Sequence, residues 1–444
     1  MTLKTSLITD RSFIVTILLE CITWFLQIPL VIIHWFGLEM WLESIIEQTF
    51  NKPDNVSSNF KFPFKRLSPS PSFTLPNSNS NENIELDNKI NNSTSEFQNK
   101  IINAIDIVDI VHQHDYRVHE HVVQTRDGYL LSIHRILPKK VTASNVNLRQ
   151  FNKPVVYMHH GLLTNSELFV LGDKTSKCLP FLLTDLGYDV WLGNNRGNKY
   201  SRKHIKYSSK DYKFWDFSLD EFAMFDIPDT IDYILNSTKE KNLNFIGFSQ
   251  GSAQALAALS LSPSLNEKIK LFIGLSPAMI PKGLNHPIAK FFVNSAPNLL
   301  FNLFGKRAIL PSVSFWEKLF GPNLYEKVVD NSLVLLFGWN GKNQTIIQKR
   351  VGYPHMFSPA SVKCVVHWFQ IINSKRFQMY DEGGSAGSRL VSLTNTCSQK
   401  NHRVAPFPTN TITTNTFLIY GLSDSLVDID KSLENLSCPL ETQF

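Results

Sequence analysis

The chain has 444 residues, of which 43% are hydrophobic, so it is long enough and apolar enough for one large globular core with appended segments. Basic residues number 44 against 38 acidic ones, a formal charge of +6, and they are scattered rather than gathered into a stripe, which argues against a nucleic acid partner. The five cysteines are an odd number, far apart, with no CxxC pair, so we expect neither a metal site nor thiol redox chemistry.

The N-terminal region predicts a membrane anchor. After a tail at residues 1–12, residues 13–38 form an apolar stretch of 26 residues in which Glu20 is the one side chain certain to be charged. A helix of this length crosses a bilayer with some tilt. The stretch is too long for the apolar part of a signal peptide and lacks a small-x-small cleavage site. A cleaved signal and a buried helix are the alternatives, and Pro29 leaves open a hairpin within one leaflet.

The charges around this stretch favour a cytosolic N-terminus, because Lys4 and Arg11 precede it whereas Glu39, Glu43 and Glu47 follow it. We therefore expect an integral membrane protein of the endoplasmic reticulum or lipid droplet, or of the plasma membrane.

Residues 39–100 predict an amphipathic segment followed by a disordered linker. From about residue 51 the sequence is rich in Asn, Ser and Pro, as in SPSPSF and PNSNSNEN. Such a composition is too polar to bury a core. The linker would let the following domain reach a substrate surface beside its anchor.

From residue 101 to residue 444 the chain predicts an α/β domain. Short apolar runs alternate with longer amphipathic ones, which is the pattern of a mainly parallel sheet wrapped by helices. Several runs are apolar throughout, as strands covered on both faces must be. The candidate strands are residues 122–125, 130–135, 155–159, 189–192, 244–246, 271–275 and 416–420.

Residues 247–251 read Gly-Phe-Ser-Gln-Gly, a G-x-S-x-G motif. An apolar run precedes the motif and the helix-forming sequence SAQALAALS follows it, which is the strand-turn-helix context of an α/β-hydrolase nucleophile elbow. So tight a turn admits only small residues at Gly247 and Gly251. It presents the hydroxyl of Ser249 at a helix N-terminus, where developing negative charge is stabilised. We predict that Ser249 is the nucleophile.

An oxyanion hole needs two fixed N–H donors. The residue after the nucleophile, Gln250, should supply one. A second should come from a loop after an earlier strand, and the run at 155–159 leads directly into a glycine turn that makes Leu162 the candidate. The neighbouring His159 and His160 are interpreted as residues that orient this backbone rather than as the catalytic base.

Four long blocks of this sequence resemble the acid lipase family, which includes gastric and lysosomal acid lipases and fungal sterol esterases. The blocks are HHGLL at 159–163, GYDVWLGNNRGNKYSRKH at 187–204, FWDFSLDEFAMFDIPDTIDYIL at 214–235 and GFSQG at 247–251. The N-terminal apolar stretch is most similar to that of the membrane-anchored fungal sterol esterases.

The resemblance implies an α/β-hydrolase fold with a helical cap insertion, at about residues 279–400, preceded by the membrane anchor helix. It implies a serine hydrolase of lipid esters, steryl esters first and triacylglycerols as the alternative. The expected partners are that lipid ester and a membrane or lipid-droplet surface. The chemistry needs side chains and water but no cofactor.

The resemblance also places the orienting acid of the triad at Asp424, in the turn after the run at 416–420, with Asp428 as a turn or helix cap. The hydrolase order is Ser, Asp, His, but no histidine follows His402. We therefore expect no triad histidine after Asp424 and a C-terminally incomplete domain, with His402 or His355 as possible substitutes.

Two functional hypotheses follow. The first is a carboxylic-ester hydrolase that works through an acyl-enzyme on Ser249. The second is a catalytically impaired membrane protein that binds lipid in the same pocket, because it lacks the base. A transporter or channel is disfavoured, since the chain has one hydrophobic span.

Overall fold

A mixed eight-stranded sheet organises the part of the chain that the structure, a computed structural model, describes: residues 96–138, 153–284, 287–295, 297–309, 313–339, 341–382 and 404–436. The predicted tail at 1–12, the anchor at 13–38 and most of the linker lie outside these residues. The strands are β1 (Tyr116–Gln124), β2 (Tyr129–Pro138), β3 (Val155–His159), β4 (Asp189–Leu192), β5 (Lys203–His204), β6 (Leu243–Phe248), β7 (Ile269–Leu275), β8 (Ala308–Ile309), β9 (Ala360–Ser361) and β10 (Asn415–Ile419).

The strand order is β1-β2-β4-β3-β6-β7-β10, with β5 paired to β2. Strands β4, β3, β6, β7 and β10 are parallel, whereas β1 and β2 form an antiparallel hairpin that joins β4. All residues of β3 and β4 are buried, as expected for central strands covered on both faces. The predicted mainly parallel sheet is confirmed, and the parallel arrangement brings the carboxyl ends of β3, β4, β6 and β10 to one edge.

Helices cover the sheet and fill its connections. They are α1 (Ile107–Gln113), α2 (Leu179–Asp185), α3 (Leu219–Glu221), α4 (Ile227–Thr238), α5 (Gln250–Leu261), α6 (Pro263–Lys268), α7 (Pro287–Val293), α8 (Pro297–Phe304), α9 (Val313–Phe337), α10 (Ile346–Met356), α11 (Val362–Ser374) and α12 (Ile429–Asn435). A π-helical turn, Phe222–Asp226, joins α3 to α4. Helix α5 is buried at eleven of its twelve positions, which its small alanine and serine side chains permit.

Five helices, α7 to α11, are inserted between β7 and β10. Helices thus occupy the described part of the predicted cap region, and residues 383–403 of that region lie outside the description. Leu300, Val362 and Val366 form a small apolar core within the insertion. No helix among the described residues is both long enough and apolar enough to span a bilayer.

The Arg196 guanidinium is buried between two carboxylates. It donates to Asp226 at 2.6 and 2.8 Å and to Asp127 at 2.5 and 3.1 Å, and it lies 3.9 Å from the centroid of the Tyr129 ring. Only 1% of Arg196 is exposed. The two carboxylates hold the pKa of Arg196 above its ordinary value. This cluster ties the loop after β4 to the β1-β2 hairpin and to the π-helical turn.

Six histidines of the described part of the chain are buried in neutral form. Burial lowers their pKa values to about 3 or about 4, because the charged imidazolium would lose its hydration. The six are His114, His134, His159, His160, His355 and His367. In the unfolded chain the same residues bind protons near pH 6.5. Acid therefore favours the unfolded chain.

Removing the buried cation should destabilise the fold strongly. Replacement Arg196→Met leaves Asp127 and Asp226 without their counter-charge, and we expect the free energy of unfolding to fall by about 3–5 kcal/mol. Urea denaturation measures this change. The matched control is Arg126→Met, since the Arg126 side chain is 65% exposed in its pair with Asp229 and its loss should cost about 1 kcal/mol or less. Equal effects of the two variants would contradict the assigned importance of the buried cluster.

The stability should also fall as the pH drops below about 6.5. A lowered pKa in the folded state means that the unfolded chain binds more protons between the two pKa values, so stability is full above about pH 6.5 and is lost as the pH falls towards 4. Each such histidine contributes roughly 1.4 kcal/mol per pH unit in this window. The variant His355→Gln should flatten the measured slope by about that amount, and an unchanged slope would show that His355 is not buried neutral.

Candidate active site

The Ser249 residue lies in a strained turn between β6 and α5. Its backbone has φ 52° and ψ −115°, a left-handed conformation that costs a non-glycine residue about 1–3 kcal/mol. Its N–H donates to Leu275 O on the neighbouring strand at 2.9 Å, and its carbonyl accepts from Ser252 N at 3.0 Å. These bonds hold the turn, and the half-buried Ser249 side chain stands at the carboxyl edge of the sheet, at the start of α5.

The two glycines of the motif lie where a side chain would collide with backbone. A Cβ on Gly247 would come within 2.7 Å of the Ser252 backbone. One on Gly251 would lie 2.3 Å from His159 O and 2.6 Å from His160 O. The absent side chain at Gly251 therefore lets α5 pack directly against the end of β3. This matches the predicted reason for both glycines.

The loop after β3 passes beside the serine. A Cβ built on Gly161 would approach Ser249 Cβ to 3.2 Å, so this loop and the elbow face one another closely. Leu162 follows Gly161, and Leu163 has a left-handed φ of 59°. The Leu162 peptide begins at Gly161 and therefore lies close to the elbow, whereas the role of its N–H as an oxyanion donor stays a prediction.

The imidazole of His160 orients that peptide. The backbone N–H of Asn195 donates to His160 Nε2 at 3.1 Å, so Nε2 carries no proton. Burial lowers the pKa of His160 to about 3, and the proton of the neutral ring therefore lies on Nδ1, which donates to Gly161 O at 2.8 Å. Thr164 Oγ1 donates to the same oxygen at 2.9 Å. In a trans peptide the C=O and the following N–H point in opposite directions, so two donors on Gly161 O fix the direction of the Leu162 N–H.

The His159 ring also has a structural role, because both of its nitrogens bond to buried side chains. Its Nε2 donates to Asn195 Oδ1 at 2.9 Å, and its Nδ1 accepts from Tyr157 Oη at 2.7 Å. Asn195 Oδ1 also accepts from Gln254 Nε2 of α5 at 3.0 Å. His160 contacts the backbone as predicted, whereas His159 bonds to the side chains of Tyr157 and Asn195 and so acts on the loops through them.

The loop after β4 was not recognised as part of the site from sequence, yet it supplies Asn195 and the buried Arg196. Its signal was a run of polar residues, Asn194, Asn195 and Arg196, one glycine after the buried strand β4. Asn194 donates to Ser132 O, and its Oδ1 accepts from Ser166 N at 3.0 Å. The polar run therefore serves as a buried scaffold for the loop after β3.

The backbone N–H of Gln250, the other predicted oxyanion donor, belongs to the first residue of α5, where no intrahelical acceptor exists. Its side chain is buried, and Oε1 accepts from Trp368 Nε1 at 2.7 Å and from Cys364 Sγ at 3.4 Å. A cavity of about 10 Å³ lies between the oxyanion loop, the loop after β4 and Gln250, which is room for about one water molecule.

Asp424 lies in the turn after β10. Because β10 pairs with β7 and β7 with β6, the turn reaches the same edge as Ser249. The Asp424 carboxylate accepts from the N–H groups of Leu426 at 2.9 Å and Val427 at 3.2 Å. Asp428 instead caps α12 by accepting from Lys431 N at 3.4 Å, as predicted.

The described residues bring no imidazole to Ser249 or Asp424. His355 Nε2 donates to Ile101 O at 2.8 Å, and His367 Nε2 donates to Gln378 O at 2.8 Å. Both rings are thus engaged elsewhere, which removes His355 as a substitute base. His402 lies outside the described residues. The described residues also contain no cluster of metal-binding side chains.

Sequence comparison places this geometry in a family. The model of the alpha/beta hydrolase fold matches residues 154–443, and that of a partial alpha/beta-hydrolase lipase region matches residues 107–173. A probable lipase of Schizosaccharomyces pombe is 48% identical over 73% of this chain and 70% of its own. Rat gastric triacylglycerol lipase is 36% identical over 62% of this chain and 69% of its own. Human lipase member K is 36% identical over 67% of this chain and 73% of its own.

The sheet, the elbow and the helical insertion agree with these matches, which together cover the residues of the site. The resemblance to gastric and lysosomal-type acid lipases is confirmed, and the chain belongs to the lipases of the α/β-hydrolase fold family.

Proposed function

We propose that the chain hydrolyses carboxylic esters of lipids through an acyl-enzyme on Ser249. The observation that carries the proposal is the strained Ser249 at the start of α5, beside the peptide of Leu162. Ser249 Oγ attacks the ester carbonyl, and the N–H groups of Leu162 and Gln250 stabilise the oxyanion. The hydroxyl proton passes to a general base that Asp424 orients, a role for which His402 is the substitute still open, and returns to the leaving alcohol. Water then releases the acid.

The helical insertion between β7 and β10 supports the substrate class. It exposes apolar side chains such as Phe291, Leu299 and Val334, and an apolar cover over the site would suit an acyl chain and exclude water. The relatives named as lipases support an ester of this kind. We propose steryl esters as the preferred substrates and triacylglycerols as the second choice, on the resemblance of the N-terminal stretch to that of membrane-anchored sterol esterases.

The substitution Ser249→Ala should abolish hydrolysis. We expect the rate on cholesteryl oleate and on triolein to fall by at least about 1000-fold, because the nucleophile is lost. Release of oleate from detergent-dispersed substrate measures this. The matched control is Ser260→Ala, a buried serine of the same helix whose hydroxyl donates to Ala257 O, which should keep the parental rate. Parental hydrolysis by Ser249→Ala would refute the mechanism.

Comparison of cholesteryl oleate with triolein tests the proposed preference for steryl esters over triacylglycerols. A higher kcat/KM on cholesteryl oleate than on triolein supports a steryl ester hydrolase, and the reverse favours a triacylglycerol lipase. Binding of both lipids by the parent chain without turnover would instead support the non-catalytic hypothesis.

We further propose that residues 13–38 anchor the chain in a membrane. The full chain, expressed in yeast, should stay in the membrane fraction during alkaline carbonate extraction, because its apolar stretch would otherwise be exposed to water. Deletion of residues 13–38 should release it. An equally long deletion in the linker, residues 66–91, should leave it bound. Retention of the chain without residues 13–38 would contradict the anchor.

A further inference from the structure

The side chain of Gln250 connects the nucleophile elbow to the inserted helices. Gln250 is 2% exposed and Trp368, on α11, is 6% exposed, so their hydrogen bond of 2.7 Å is shielded from water. Cys364, one turn earlier on α11, adds a weaker thiol donor at 3.4 Å. Burial raises the pKa of the Cys364 thiol, so the thiol stays protonated and remains a donor.

Helix α11 is itself part of the main core. Cys364, Trp368 and Ile371 pack in the same apolar cluster as the buried alanines of α5 and the strands of the sheet. The helix begins with Ser361, whose Oγ accepts from Lys363 N at 3.1 Å and donates to Trp215 O at 2.6 Å. Trp368 is thereby held on a fixed element, and a fixed donor restrains its acceptor.

The backbone of Gln250 needs such a restraint. The residue follows the strained Ser249, and among the described residues no acceptor takes the Gln250 N–H. The direction of this N–H depends on the backbone on both sides of the elbow. The side-chain amide, held by α11 at its far end, limits how that backbone can rotate. Without Trp368 the buried side-chain carbonyl of Gln250 would turn towards another donor, because a buried acceptor without a partner is costly.

We propose that Trp368 is a positioning residue of the oxyanion hole: its indole N–H holds the Gln250 side chain and thereby fixes the Gln250 backbone N–H at the developing oxyanion. This rests on the proposed ester hydrolysis. Trp368 contacts neither substrate nor reacting atoms in this scheme. Helix α11 belongs to the catalytic framework and does not act solely as a cover.

The first test compares Trp368→Phe with the parent on p-nitrophenyl butyrate, a small ester that needs little of the apolar pocket. We expect kcat to fall about tenfold or more, while KM stays within about twofold, because binding of the ground state does not use the oxyanion donor. The matched control is Trp215→Phe, which keeps the Trp215 backbone carbonyl that accepts from Ser361. Trp215 is 2% exposed, and its indole N–H donates to Ser209 O at 2.8 Å. The Trp215→Phe variant should lower the free energy of unfolding and leave kcat unchanged.

The second test asks whether the effect passes through the Gln250 oxygen. In Gln250→Met the acceptor is absent and the backbone N–H remains, so adding Trp368→Phe should lower kcat little further. Independent effects that multiply in the double variant would overturn the proposal. So would a kcat of Trp368→Phe equal to that of the parent.

A third readout does not depend on turnover and separates this inference from the proposed function. In ¹⁵N spectra the Trp368 indole resonance, assigned by its loss in Trp368→Phe, should shift on Gln250→Met. The Gln250 backbone amide should shift in Trp368→Phe and not in Trp215→Phe. A parent without ester hydrolysis but with both shifts refutes the proposed function alone, whereas missing shifts overturn the positioning role.

Discussion

One hydrogen bond, from the Asn195 backbone N–H to His160 Nε2, determines much of the site. It fixes the tautomer of a buried neutral imidazole, and the tautomer in turn decides that Nδ1 donates to Gly161 O. A proton on Nε2 would abolish the contact with the Asn195 N–H, and a missing proton on Nδ1 would abolish the contact with Gly161 O. Because the Leu162 N–H points opposite to the Gly161 carbonyl, the loop after β4 controls the direction of the proposed oxyanion donor through the His160 ring. The buried Arg196 next to Asn195 anchors that loop in turn.

The strain at Ser249 is balanced by close backbone packing rather than by side chains. A turn with φ 52° persists only where its surroundings leave no alternative. Here β7 accepts the Ser249 N–H, and α5 lies so close to β3 that a methyl group at Gly251 would overlap two carbonyl oxygens. The elbow, the end of β3 and the start of α5 therefore form one rigid unit.

Sequence reasoning predicted the parts of this unit whose signals are local. All seven predicted strands exist, since each is a short stretch rich in apolar residues and several are apolar throughout, and Gly247, Ser249 and Gly251 lie as the motif indicates. The two-residue strands β5, β8 and β9 carry no such signal. The roles of Asn195 and Trp368 also escaped prediction, because their partners lie 35 and 118 residues away along the chain. Such contacts depend on tertiary packing and have no pattern in one sequence.

The contact between Gln250 and α11 has an evolutionary consequence. An insertion between two strands is a convenient place for a lipase to change its substrate, because new helices alter the pocket without altering the sheet. In this chain α11 bonds to the residue next to the proposed nucleophile. Variation should therefore be freer in α7 to α9 than in α11, and Gln250 and Trp368 should change together or not at all. If the inserted helices were exchanged between relatives, the hybrid would keep its activity only if the new helices supplied a hydrogen-bond donor to the side chain at position 250.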